Sequence, residues 1–213
     1  MGKYVIMGIQ GSGKGTQAKL LAADYDLVHI SMGEVFRGHI RAGTRLGETI
    51  RELVAGGHLV PDSIVNQVLR TRLGEGDCQS GFVLDGYPRD LAQAAFLLDL
   101  VPLDAVINVV VPDAVVTARM QARRICADCG HDWNLQGRRP QRPGICDDCG
   151  GAVVAREDDN PVAIAARLAD FHAQTAPVLE FFREHDLVVD VDGTQAPDHV
   201  QEEIRRGLGL PVA

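Results

Sequence analysis

Gly8-Ile9-Gln10-Gly11-Ser12-Gly13-Lys14-Gly15-Thr16 follows the apolar run Lys3-Tyr4-Val5-Ile6-Met7 and leads into a helical pattern that ends near Tyr25. The order is strand, glycine-rich loop, helix. Glycine lets the backbone bend until several N–H groups face inward, and the positive end of the following helix adds to their pull on phosphate oxygens. Gly8 to Lys14 matches G-x-x-x-x-G-K, with Lys14 as the point charge for β- and γ-phosphates. The next residue is Gly15 rather than a hydroxyl, and the first hydroxyl comes at Thr16. Direct ligation of Mg²⁺ by this loop is therefore not expected, whereas a phosphate contact from Thr16 is. Ala18, Leu21, Ala22 and Tyr25 give the helix its buried stripe, which separates this loop from an ordinary glycine turn beside a surface lysine.

Outward from the loop, strands and helices alternate along the 213 residues. Strands are expected at 3–7, 27–30, 81–85, 104–111 and 187–191, with helices at 33–42, 46–55, from 61, at 90–100, from 113 and at 197–208. A long helical stretch from 161 past Arg167 toward His185 should bend at Pro177. Ser31-Met32-Gly33-Glu34 has capping-box spacing, so Ser31 reads as an N-cap and, at a strand's carboxyl end, also as a ligand contact. Arg37, one turn on, reads as a solvated charge or an anion contact. Asp85 closes a buried strand where the ligand crevice of an open α/β sheet lies, so it is a candidate to organise Mg²⁺ and its waters or else a strand-end cap. Gly86-Tyr87-Pro88-Arg89 turns the chain away, and a cis Tyr87-Pro88 bond is allowed there.

Composition sets the outer bounds. An apolar fraction of 46% and a charged fraction of 23% fit a soluble globular enzyme that folds as one domain with inserts. No apolar run is long enough to cross a bilayer, and the start of the chain enters strand 1 directly, so a cytoplasmic protein is expected. A formal charge of −8 argues against a nucleic-acid or anionic-membrane partner and requires locally clustered arginines for any anion. Arg119, Arg123 and Arg124 near the end of one helix form such a cluster, although cations are favourable there in any case.

Residues 125–158 break the αβ rhythm. Cys126-x-x-Cys129 and Cys146-x-x-Cys149 stand sixteen residues apart, and a glycine follows each pair. Four thiolates at this spacing fit tetrahedral, structural Zn²⁺, with two disulfides or an iron–sulfur or redox site as competing readings. So small a piece, with few large apolar residues, needs the metal, which is worth about 10–16 kcal/mol in comparable motifs. Cys78 stands apart and reads as a small packed residue.

The motifs GIQGSGKGTQ, HISMGEVFR, GHLVPD and GFVLDGYPRD, the RxxxRR run at 119–124, REDD at 156–159, Arg167 and the VDGT turn at 191–194 together resemble the adenylate kinases of the bacterial long-lid, zinc-containing type. The likeness covers nearly the whole chain. It implies a P-loop fold: a parallel five-stranded sheet flanked by helices, with the core at 1–30, 61–122 and 160–213. A helical NMP-binding insert would occupy 31–60 and a zinc-bound lid 123–159. It further implies Mg²⁺-dependent, reversible transfer of the ATP γ-phosphate to AMP by a monomer.

The same resemblance implies which residues meet the nucleotides. The ATP site would comprise Gly11, Ser12, Gly13, Lys14, Gly15, Thr16, Arg119 and Arg123, with backbone near Asp132, Trp133 and Gln195. The AMP pocket would comprise Ser31, Arg37, His58, Leu59, Val60, Gly86, Tyr87, Pro88, Arg89 and Gln93. Arg156 and Arg167 would reach the AMP phosphate and the transferring group, and Lys14, Asp85, Arg89, Arg123, Arg156 and Arg167 would carry catalysis. Gln10, Ser31, Met32 and His58 stand where the family commonly has proline, threonine, threonine and lysine. A kinase for another nucleoside monophosphate, and a P-loop and zinc-ribbon protein that only holds nucleotide, are the two other readings.

Overall fold

A computed structural model describes residues 2–55, 60–155 and 159–211. His58, Leu59 and Arg156, expected at the nucleotide sites, lie outside them. Five strands, β1 (Lys3–Met7), β2 (Val28–Ser31), β3 (Phe82–Asp85), β4 (Ala105–Val110) and β8 (Val188–Asp192), form one sheet in the order β2-β3-β1-β4-β8. Every neighbouring pair is parallel. A parallel sheet needs helical crossovers and is covered on both faces. The helices are α1 (Lys14–Asp24), α2 (Met32–Arg41), α3 (Arg45–Ala55), α4 (Asp62–Leu73), α5 (Leu91–Leu100), α6 (Asp113–Gln121), α7 (Pro161–Asp170), α8 (Ala176–Arg183) and, after the last strand, α9 (Pro197–Gly207).

The strands divide their side chains between two cores, as a pleat of period two requires. Tyr4, Ile6, Val83, Ile107 and Val109 pack with Leu21 of α1, Val116 of α6 and Ile204 of α9 on one face. Val5, Met7, Phe82, Leu84 and Val106 pack with Leu69 of α4, Leu97 of α5 and Phe182 of α8 on the other. Strand order reverses at β1: the chain leaves it for β2 and β3 on one side and places β4 and β8 on the other. The loop after β1 therefore opens at the crevice where such sheets bind ligands.

The five expected strands and their parallel order match, with β2 ending on Ser31 itself. The Tyr87-Pro88 bond is cis. Three features go beyond the sequence reading. A short 3₁₀ turn, Gly76–Ser80, precedes β3. The bend assigned to Pro177 is displaced upstream, into a π-helical turn at Phe171–Thr175, and Pro177 sits in the first turn of α8. Proline lacks an N–H and its ring crowds the carbonyl four residues back, so the turn before it widens. The insert is also a sheet: β5 (Arg123–Cys126) pairs antiparallel with β6 (Asp132–Asn134) and β7 (Val153–Ala155).

Candidate active site

The glycine-rich loop is shaped by contacts that exclude side chains. A Cβ on Gly8 would lie 2.7 Å from the Val109 carbonyl, and one on Gly11 would lie 2.8 Å from Met120 Cγ; both glycines have positive φ. At Gly13, also at positive φ, a Cβ would meet nothing within 4 Å, so the mouth of the loop is open. Ser12 is buried with its hydroxyl unpartnered among the described residues. α1 begins at Lys14 with no side-chain cap, leaving the positive end of the helix to an incoming anion.

Asp85 lies beside this loop. A Cβ on Gly15 would approach its Oδ2 to 3.3 Å, a tight contact with the tip of that side chain. His29 Nε2, on the adjacent strand, is 3.8 Å from Asp85 Oδ2. Asp85 Oδ1 and His29 Nε2 are both buried without a hydrogen-bond partner among the described residues. Burial pushes the Asp85 carboxyl up, but contact with His29 and the charges of Lys14 and Arg89 outweigh it and hold it below the usual carboxylate value. Desolvation pushes the Lys14 ammonium down; Asp85 opposes that shift, and Arg89 and Arg123 add to it. Arg89 is likewise lowered by desolvation; Asp85 opposes that shift and Arg167 adds to it. Lys14 and Arg89 thus share the Asp85 carboxylate, while Arg123 acts on Lys14 and Arg167 on Arg89, so four cations are linked in a chain of net charge −8.

The remaining expected residues fall into three groups. The first is committed to protein contacts. Arg119 donates to the carbonyls of Ser12 at 3.2 Å and Gly193 at 2.8 Å, bracing the loop against the turn after β8. Gln195 Nε2 donates to Glu203 Oε1 at 2.7 Å. Trp133 is buried with Cys126 and Cys146, so only its backbone is free to meet a ligand. Asp132 and Trp133 pair with Ile125 and Arg124 of β5.

The second group lies in or next to the early turns of α2, α4, α5 and α1. Ser31 Oγ accepts the Glu34 N–H at 3.4 Å, a weak cap. Arg37 is exposed, forms no hydrogen bond or ion pair among the described residues, and folds back until its Nη1 would be 3.1 Å from a Cβ on Gly33. A cation near a helix N-terminus is repelled by the helix dipole, so its place there suits an anion between the two. Val60 packs against the α4–α5 core, and Gln93 is buried at the start of α5, beside the Gly86–Arg89 turn. Thr16, in the first turn of α1, is exposed.

The third group is the cysteines. The four Sγ atoms of Cys126, Cys129, Cys146 and Cys149 lie within 4.8 Å of one another, with Cys126–Cys149 at 3.4 Å and Cys129–Cys146 at 3.7 Å. Backbone N–H groups at Cys129 and Asp128 pull the Cys126 thiol below its ordinary value. The Gly151 N–H points at Cys149 Sγ from 3.4 Å. The cluster could hold one metal ion, and its place in the insert separates it from Lys14 and Asp85.

Two residues the sequence reading passed over complete the site. Asp159, with a side chain only 4% exposed, binds Arg123 and Arg167 together. Asp159 stands within REDD, but nothing in the motif says that its carboxylate spans the base of the insert. His29 reads from sequence as a strand residue; its link to Asp85 depends on the β2–β3 register, in which Ser31 stands opposite Asp85.

A phosphate-cradling loop at the switch point of a parallel sheet, faced by converging arginines and a buried carboxylate, defines a P-loop phosphotransferase. The family model described as adenylate kinase matches residues 6–187. A relative named adenylate kinase from Symbiobacterium thermophilum is 44% identical over 96% of this chain and 97% of its own. Those from Lachnospira eligens, 40% identical over 97% and 100%, and Caldicellulosiruptor saccharolyticus, 38% over 98% and 99%, are similar along their full lengths. The chain belongs to the adenylate kinase family.

Proposed function

We propose that this chain transfers the γ-phosphate of ATP to AMP, reversibly and with Mg²⁺, with Lys14, Arg89, Arg123 and Arg167 holding the phosphates. One observation carries the assignment of residues: Lys14 and Arg89 share Asp85 at the end of β3, beside the loop mouth, and Arg123 and Arg167 lie near enough to act on Lys14 and Arg89 respectively. Phosphoryl transfer needs no protein nucleophile. Positioned cations align the reacting oxygens and spread the charge that develops between them. Mg²⁺ would neutralise phosphate charge when bound with ATP, and the unpartnered Asp85 Oδ1 fits a place for its water shell. Ser31, Arg37, Val60, Gly86 to Arg89 and Gln93 would form the AMP side. Gly11 to Thr16, Arg119 and the backbone of β6 and Gln195 would form the ATP side.

The cysteine cluster suits structural Zn²⁺. Tetrahedral zinc with Zn–S near 2.3 Å requires sulfurs about 3.8 Å apart, close to the 3.4 Å of Cys126–Cys149 and the 3.7 Å of Cys129–Cys146. Four thiolates leave no open position, so the ion would knit the insert and take no part in transfer. We assign 31–60 to monophosphate binding and 123–159 to the lid that shuts over ATP and excludes water. A coupled assay of ADP formation with AMP, GMP, CMP and UMP tests the reading. AMP should be preferred by orders of magnitude; comparable rates with another monophosphate would overturn it.

A further inference from the structure

The partners of Gln93 decide which end of its side-chain amide is oxygen. Its Oε1 accepts the Arg89 backbone N–H at 2.9 Å, and its Nε2 donates to Asp62 Oδ1 at 2.6 Å. Its backbone N–H donates to Asp90 Oδ1 at 2.9 Å, capping α5. The two ends of an amide are alike in shape, and half a turn about its last torsion exchanges donor for acceptor. These neighbours do not tolerate the exchange, because a backbone N–H only donates and a carboxylate only accepts. A turned Gln93 would set donor against donor at Arg89 and acceptor against acceptor at Asp62, in a residue that is 5% exposed.

Asp62 is itself fixed. It opens α4, whose Val65, Val68 and Leu69 are buried in the core. One turn later Asn66 Oδ1 lies 2.6 Å from the Tyr87 hydroxyl, which also sits 3.1 Å from the Gln93 carbonyl. The helix therefore clasps the 87–93 segment at two points, and although Asp62 is itself exposed, the helix that carries it is anchored in the core.

We propose that Asp62 is a positioning residue that locks the Gln93 amide and thereby makes the monophosphate site select a 6-amino over a 6-oxo purine. The proposal rests on the reading that Gln93 meets the base. The Watson–Crick edge of adenine presents a donor at N6 beside an acceptor at N1. The 6-oxo purines present an acceptor at O6 beside a donor at N1, and need the amide turned over. The lock rejects them by repulsion on the protein's own side as well as by a missing bond, which is how a polar site attains discrimination beyond what shape allows.

The test compares kcat/KM for AMP and for IMP, with ATP as donor, in the parent and in Asp62→Asn, Asp62→Glu and Gln93→Leu. Asparagine keeps the shape but offers either a donor or an acceptor, so the AMP/IMP ratio should fall about five- to twentyfold. KM for ATP and the melting midpoint should hold. Asp62→Glu remains an acceptor only and should keep most of the ratio. Equal falls in the Asn and Glu variants, or no fall in Asp62→Asn while Gln93→Leu collapses the ratio, would overturn the lock and leave Gln93 as the base contact. An unchanged ratio in Gln93→Leu would instead remove the base contact on which the proposal rests.

Discussion

Asp159 receives Arg123 through two parallel hydrogen bonds, Nε to Oδ2 at 2.7 Å and Nη2 to Oδ1 at 2.8 Å. The two residues are the first and last of the 123–159 insert, so the pair closes its base. Arg167 of α7 adds a third bond to the same carboxylate at 3.0 Å. Removing the carboxylate would leave two like charges close together in a poorly solvated site, and breaking such a pair costs about 3 kcal/mol or more. Asp159→Asn should lower the melting midpoint and raise KM for ATP by scanning calorimetry and steady-state kinetics. Unchanged values in both would show that the pair neither holds the insert nor prepares the arginines.

Lys14 stands at the mouth of the loop and makes no hydrogen bond or ion pair among the described residues. Its charge is therefore available to a phosphate, and little of the fold depends on it. Lys14→Met should cut kcat by about two orders of magnitude or more while the melting midpoint moves only slightly. Retention of most activity would remove the loop as the phosphate site.

Asp77 shows how one surface pair responds to acid. A hydrogen bond from Arg72 holds its carboxyl down at about 2, against 3.8 ordinarily. The folded state therefore binds fewer protons than the unfolded chain between these values, so the pair's contribution is complete above the ordinary value and is lost as pH falls toward about 2. At neutral pH Asp77→Asn should unfold at lower urea than the parent. The gap should narrow as the solution is acidified; a gap independent of pH would refute the assignment.

Chelation, or Cys146→Ser, should loosen the insert while the sheet retains its own burial. ATP binding to the core should remain measurable by calorimetry, transfer should slow, and the melting midpoint should fall, with ~1:1 zinc per untreated chain. Metal analysis without zinc, or a chelated enzyme of unchanged rate and stability, would rule out a structural zinc.

The five strands and the phosphate loop were legible because they rest on local rules: apolar runs buried on two faces, and glycines where the backbone must turn or be approached. The cysteine spacing was legible for the same reason. The insert's sheet was not, since strands of three or four residues carry too little alternation to stand out, and burial patterns such as partly exposed Val153, Val154 and Ala155 give no clean face. Asp159, His29 and Asp62 were hidden differently. Each acts through a partner at 36, 56 and 31 residues' distance in the chain, brought near only by register or by the closing of the insert. Pairings of that range leave no periodic trace in one sequence.

Trp133 is the single tryptophan of the chain, and it lies buried against Cys126 and Cys146, under His131 and Arg138. The tyrosines at 4, 25 and 87 all pack into the two cores that cover the five-stranded sheet. Intrinsic emission excited at the red edge thus comes from the insert alone, and near-ultraviolet tyrosine signals from the core alone. The two parts of the molecule carry separate optical reporters without any label, so loss of the metal and melting of the core can be timed independently in one sample.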